Sequence, residues 1–186
     1  MKNYTVPTKE TAKAASLPLF ESLEKSIGFL PNLYAYIGHS PNGLQTYLAY
    51  QQGNAKGVFN AKQREAVNLA VSEVNGCRYC QSAHTALGKM NGFTDEEILQ
   101  LRAGTHPDAK LNVLTNLAIE IQKTHGHPSQ ELLNSFFELG YDEGALVDLI
   151  GLIADKVFAN YLNNITNIVI DFPVAPQLNS TAQATV

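Results

Sequence analysis

Strand signals are almost absent from this chain; apolar residues recur instead at helical spacing, broken by short turn clusters. A chain patterned this way can bury its apolar stripes only by packing helix on helix, so an all-α fold is expected. The periodicity predicts helices at roughly 8–26, 31–38, 41–53, 60–75, 78–91, 94–103, 108–124, 129–139 and 142–167. Gly28, Pro31, Ser40-Pro41, Gly92, Gly104, Pro107 and His125-Gly126-His127-Pro128 punctuate them. Ser40 before Pro41, Asn60 before Ala61, and Thr94 with Glu97 three residues later read as helix caps.

With 186 residues, the chain suits one domain with a real core, expected over 1–170. From Asp171 onward, Pro173, Pro176 and the polar run after Ser180 predict an extended or disordered C-terminal arm, 171–186. The net charge of -4 and the scatter of the 13 basic residues exclude a nucleic-acid or anionic-membrane surface, which needs clustered Lys and Arg. Met1 to Glu10 lacks the apolar core of a secretory signal. The most apolar stretch, Ala145 to Ala154, is interrupted by Asp148 and ends at Asp155-Lys156, too short and too charged to span a bilayer. It is apolar nearly all round, as a helix buried in a core or between subunits would be. A reducing cytoplasm is the expected compartment, and there a C-x-x-C pair is catalytic, redox-sensing or metal-binding rather than a staple.

A faint repeat runs at a constant offset of 48 residues. Asn68-Leu69-Ala70-Val71 aligns with Asn116-Leu117-Ala118-Ile119, Gly92-Phe93 with Gly140-Tyr141, and Leu101 with Leu149. In the second copy the places of Cys77, Cys80, His84 and Glu65 hold His125, Pro128, Leu132 and Val113. The scaffold can thus repeat without that polar group, so the scaffold does not demand it.

Those four residues form the constellation that carries chemistry. On a helix beginning near Cys77, spacings of three and four put Cys77, Cys80 and His84 within about 60° of one face. Ala83, Ala86, Leu87 and Met90 are assigned to the opposite, packing face. Asn75-Gly76 is a tight turn that folds the preceding helix antiparallel. Glu65 then lies about 15 Å back from the turn and His84 about 10–12 Å forward, close enough for the side chains to meet. Only thiolate attacks a peroxide or disulfide, and an ordinary cysteine near pKa 8.5 is only a few per cent thiolate at neutral pH. A helix N-terminus lowers a nearby thiol's pKa, and Arg78 adds positive potential. His84 can take a proton from Cys80 and Glu65 can orient the imidazole. A sulfenic acid on one sulfur would be resolved by the other.

Two inert buried cysteines are an alternative, as is zinc held by Cys77, Cys80, His84 and either Glu65 or His125. A thioredoxin fold is rejected, because the flanks are helical rather than βαβ. Glu73 reads as a solvated helix charge, His125 and His127 as a helix cap and loop, and His39 and His106 as turn residues. The run Phe29 to Tyr34 reads as core rather than a cover over the site; Tyr36, Tyr47 and Tyr50 read as a packing stripe.

Glu65, Cys77, Cys80 and His84, within Arg64 to Val71 and Asn75 to His84, closely resemble the AhpD-like alkylhydroperoxidases of the carboxymuconolactone decarboxylase superfamily. The close likeness covers about residues 60–100. A looser one covers Phe29 to Tyr50, where Leu30-Pro31-Asn32 and His39-Ser40-Pro41 are similar to the peroxidase-related branch, and Asn160 to Pro173. The resemblance implies an all-α fold of duplicated antiparallel helical hairpins, homo-oligomers (trimers or hexamers), and reduction of hydroperoxides without a cofactor. It implies Cys80 as the attacking thiol, Cys77 as the resolving thiol, Glu65 and His84 as proton relay, and an external dithiol or lipoylated adaptor protein as reductant. Those enzymes can carry histidine just before the second cysteine, where this chain has Tyr79, a poor proton relay at neutral pH. The alternative function is a thiol-disulfide redox sensor or oligomeric interaction protein with little peroxide turnover.

Overall fold

The computed structural model describes residues 3–178. Its regular elements are all helical: a 3-10 turn at Ala14–Ser16, then α1 (Leu17–Ile27), α2 (Asn32–Ile37), α3 (Pro41–Asn54), α4 (Ala61–Val74), α5 (Arg78–Met90), α6 (Asp95–Arg102), α7 (Ala109–Thr124), α8 (Gln130–Glu138) and α9 (Glu143–Thr166). These match the predicted helices closely, except at the first. There Pro18 has no N–H to give a preceding turn, so the α-helix starts at Leu17 with proline in its first turn. Residues 8–12 form a separate turn closed by Ala12 N–H on the Thr8 carbonyl.

The caps do what their side chains permit. Asn60 and Thr94 each close a capping box, with Gln63 and Glu97, and Ser40 accepts from Gly43 N–H. Gly76, at φ +62°, closes α4: Cys77 N–H bonds the Ser72 carbonyl and Gly76 N–H that of Glu73. That left-handed residue reverses the chain within two positions and lets α5 begin at once.

α4 is the central element, packing against α5, α6, α7 and α9. Seven consecutive residues, Ala66 to Ser72, are buried, so it touches neighbours on all sides. The 48-residue repeat is visible in the elements: α4 and α7 start 48 residues apart, as do α6 and α9. Asn60 and Asp108 cap the first pair, Thr94 and Asp142 the second, and Gly92 and Gly140 both take positive φ. α4–α5 and α7–α8 are thus duplicated antiparallel hairpins. In the second, His125 is the left-handed residue and α8 waits until Gln130.

The Ala145–Ala154 stretch serves two environments. Ala145, Leu149, Leu152 and Ile153 are in the core, while Val147 and Ile150 face outward. Of the expected arm, residues 171–178 are irregular and docked: Arg78 donates to the Ala175 carbonyl, Arg102 to that of Pro176, and Ala175 N–H to Ser82 Oγ. The remainder of the arm, 179–186, lies outside the described residues. Among the described residues no helix is long and apolar enough to cross a membrane.

Candidate active site

Cys77 caps α5. Its backbone is extended at φ -82°, ψ 96°, and its sulfur accepts Cys80 N–H at 3.3 Å. One turn on, Cys80 points inward, with Asn163 Nδ2 4.0 Å from its sulfur. Both thiols are free and buried. The hydrogen bond from the Cys80 thiol, helped by the helix-terminal N–H, holds the Cys77 thiol below its ordinary value. The same bond, together with burial, pushes Cys80 well up. Of the two thiols, the one at the helix end is therefore the more readily ionised.

The two sulfurs face different spaces. Cys80 borders a cavity of about 290 Å³; Cys77 borders a smaller hollow of about 190 Å³ with Asn163, Asn164 and Asn167. The larger cavity has an apolar wall of Leu33, Ala83, Leu87, Leu152 and Phe172, and a polar side formed by Glu65, His84, Gln51, Asp155 and Lys156. Leu87 and Ala83 were expected on the opposite face. Leu87 lies seven residues, two full turns, from Cys80 and so shares its face. Met90, expected to pack, is 82% exposed.

Glu65 and His84 meet as the hairpin geometry predicts. Glu65 Oε2 lies 2.8 Å from His84 Nδ1, and both side chains are nearly buried. Burial raises the Glu65 carboxyl, but its hydrogen-bonded partner His84, with Lys156 and Asn68, outweighs burial and holds the carboxyl below its usual value. Beyond His84 stands a residue missed by the sequence reading. Lys156 Nζ is 3.1 Å from His84 Nε2 and 3.4 Å from Asp155 Oδ2, and the residue is 4% exposed. Burial opposes its charge; Asp155, with Cys80, Tyr34 and Glu65, overcomes burial and raises its pKa. An ammonium can only donate, so His84 Nε2 accepts and Nδ1 carries the proton given to Glu65. Gln51 continues the network, donating to Asp155 at 3.3 Å and accepting from the Tyr34 hydroxyl at 2.9 Å.

Tyr79 serves as a clasp. Its hydroxyl accepts Leu33 N–H at 3.2 Å, and burial together with Asp171 pushes its ionisation far above neutral pH. Pro31 at the start of α2 has no capping side chain, so the cap comes from afar: Asn32 N–H donates to Asp171 at 2.7 Å. The Phe29–Tyr34 segment is therefore cover as well as core, since Pro31, Leu33 and Tyr34 border the cavity. Tyr47 also lines it, beyond its packing role.

Several candidates stand elsewhere. Glu73 is no solvated charge; it forms a 2.8 Å ion pair with buried Arg102. Arg78 is spent on Gln81 and Ala175, clamping the C-terminal segment. His125 caps α7, away from the sulfurs, and His106 packs against Phe93. Among the described residues no group of three or more His, Cys, Asp or Glu side chains is placed to hold a metal ion.

The model of the carboxymuconolactone decarboxylase family matches residues 41–121. An uncharacterized protein, YdfG of Bacillus subtilis, is 27% identical over 124 residues, spanning 64% of this chain and 83% of its own. An AhpD-core, peroxidase-related protein from Ralstonia eutropha has the same fold, with a TM-score of 0.78 at 18% identity over 97% of this chain and 94% of that one. The debrominase Bmp8, solved with 2,3,4-tribromopyrrole, superposes with a TM-score of 0.75 at 18% identity over 100% of this chain and 96% of that one. Residues 41–121 thus match the carboxymuconolactone decarboxylase family model, and the fold of the chain is that of the AhpD-like peroxidase-related proteins.

Proposed function

We propose that the protein is a thiol-dependent peroxidase that reduces alkyl hydroperoxides through Cys77 and Cys80. The observation that carries this reading is the placement of the pair: Cys80 borders the cavity beside Glu65, His84 and Lys156, while Cys77 caps the helix end and accepts the Cys80 N–H. As a hydroperoxide enters, the Cys80 proton passes to Cys77 along their shared hydrogen bond. Cys80 sulfur then attacks the distal peroxide oxygen, the O–O bond breaks, and Cys80 becomes a sulfenic acid as the alcohol leaves with a proton. Cys77 sulfur attacks Cys80 sulfur, closing the disulfide. The displaced hydroxide takes the Cys77 proton and leaves as water. The Glu65–His84 pair orients the polar wall and moves protons there. An external dithiol or lipoylated adaptor restores both thiols.

Self-association is part of the proposal. Val147, Ile150, Ala154, Phe158, Tyr161 and Ile165 are exposed at three- and four-residue spacings along α9, a stripe suited to a second copy.

The test is stopped-flow consumption of an alkyl hydroperoxide by pre-reduced protein. Wild type should lose two thiols in step with peroxide, and Cys80→Ser should lose at least about 10³-fold in rate while keeping its helical signal. Cys77→Ser should still form one sulfenic acid that does not resolve. Undiminished consumption by Cys80→Ser defeats the proposal. Tribromopyrrole, the ligand solved with Bmp8, is the control substrate; thiol loss with it and none with peroxides would redirect the assignment to dehalogenation.

A further inference from the structure

The proton that leaves with the alcohol needs a donor facing the cavity, and the polar wall offers one the expected relay does not contain. His84 cannot supply it directly: Nδ1–H is committed to Glu65 and Nε2 accepts from Lys156. Lys156 borders the same cavity as Cys80. Its ammonium has three N–H groups. One points to His84 Nε2 at 3.1 Å, Asp155 Oδ2 forms an ion pair with the ammonium at 3.4 Å, and among the described residues no further hydrogen-bond acceptor is found. A buried lysine held between a carboxylate and an imidazole, with a donor to spare beside a thiol, is costly to keep in an apolar core without use.

Resting on the peroxidase reading, we propose that Lys156 is the general acid of the peroxide-cleaving step. Cys80 sulfur forms its bond to the distal oxygen and is oxidised. The O–O bond breaks, its electron pair goes to the alkoxide oxygen, and Lys156 Nζ gives that oxygen a proton. The neutral amine regains a proton from water once the alcohol leaves. His84 and Asp155 act as positioning residues, the first by accepting one N–H and the second by holding the ammonium as an ion pair, so that a remaining N–H faces the leaving oxygen.

The role has a signature that packing alone would not give. An alkoxide is a poor leaving group and needs a proton, whereas the carboxylate leaving from a peracid does not. Single-turnover rates with tert-butyl hydroperoxide and with peracetic acid are measured for wild type, Lys156→Met and Lys156→Gln, each first checked for cooperative thermal melting. The variants should lose roughly 10²- to 10⁴-fold with the alkyl hydroperoxide and less than about tenfold with the peracid. Equal losses with both substrates, or none, overturn the proposal. Wild-type protein supplies a second measurement that needs no variant: a solvent deuterium effect with tert-butyl hydroperoxide and none with peracetic acid. Its absence with the first substrate also overturns the role. Wild type inert toward both peroxides would instead remove the peroxidase reading itself.

Discussion

The two helical hairpins share one plan and differ in a loop. In the first, Gly76 reverses the chain and Cys77 caps α5 immediately; in the second, His125 reverses it and α8 starts only at Gln130, capped by Ser129. The shorter connection brings a cysteine to the helix end, where backbone N–H groups and the helix dipole favour a negative sulfur. The longer one spends His125 on the C-terminal cap of α7 and leaves Pro128 in a loop before the Ser129 cap of α8. Where the first hairpin has Glu65 facing His84, the second has Val113 and Leu132 packed into an apolar cluster. Two residues of connection length, 75–77 against 125–129, separate the candidate site from a piece of core.

The sharpest way to break that contrast is to blunt the polar group without disturbing the hairpin. Glu65→Gln keeps shape and a hydrogen-bond acceptor for His84 but removes the charge that Lys156 and His84 share. Sulfenic acid formation should slow by roughly 10²-fold, measured by single-turnover kinetics, with melting little changed. A rate within a factor of two of wild type would show that the pair is scaffold after all.

The turn itself gives the next largest effect. A Cβ at Gly76 would meet no heavy atom within 4 Å, so Gly76→Ala isolates the backbone cost of φ +62°. The expected loss is about 1–2 kcal/mol, read as a lower denaturation midpoint. The mirror change, His125→Gly at φ 55°, should stabilise by about 0.5 kcal/mol. Opposite signs sharpen the comparison; like signs would mean that the two turns are not equivalent.

The smallest effect is the pH dependence of the thiol pair. The Cys77 thiol is lowered in the folded protein, so its contribution to stability is complete above the unfolded thiol value of about 8.5 and is lost as pH falls through the folded value. Cys80 is raised, so its contribution is complete below that value and lost as pH climbs through its own folded value. Reduced protein should therefore gain stability, relative to the disulfide form, as pH rises toward the ordinary thiol value, and lose it above. A reduced-minus-oxidised melting difference that is flat across this range would contradict the opposite shifts of the two thiols.

Much of the site was legible because it is local. Glu65, Cys77, Cys80 and His84 lie within 20 residues, and helix rise plus one tight turn decides that they meet. The misplacement of Leu87 came from the same arithmetic: two full turns return to the same face. Glu73 and Arg78 were misread for a different reason, since their partners, Arg102 and Ala175, are brought by other segments.

The sequence by itself determined the helices, their caps, the repeated hairpin and the four-residue constellation, because periodicity and turn chemistry act over a few residues. Only the tertiary structure decided that Lys156, 72 residues from His84, closes the polar wall, and that Asp171, 139 residues from Asn32, caps the helix covering the site. No spacing rule links such positions. What links them is the cost of burying an unpaired charge or an unsatisfied N–H, which appears only when the chain has packed. The sequence did carry a trace of it in the charged pair Asp155-Lys156 at the end of the most apolar stretch, now resolved as two groups turned inward toward Cys80's cavity.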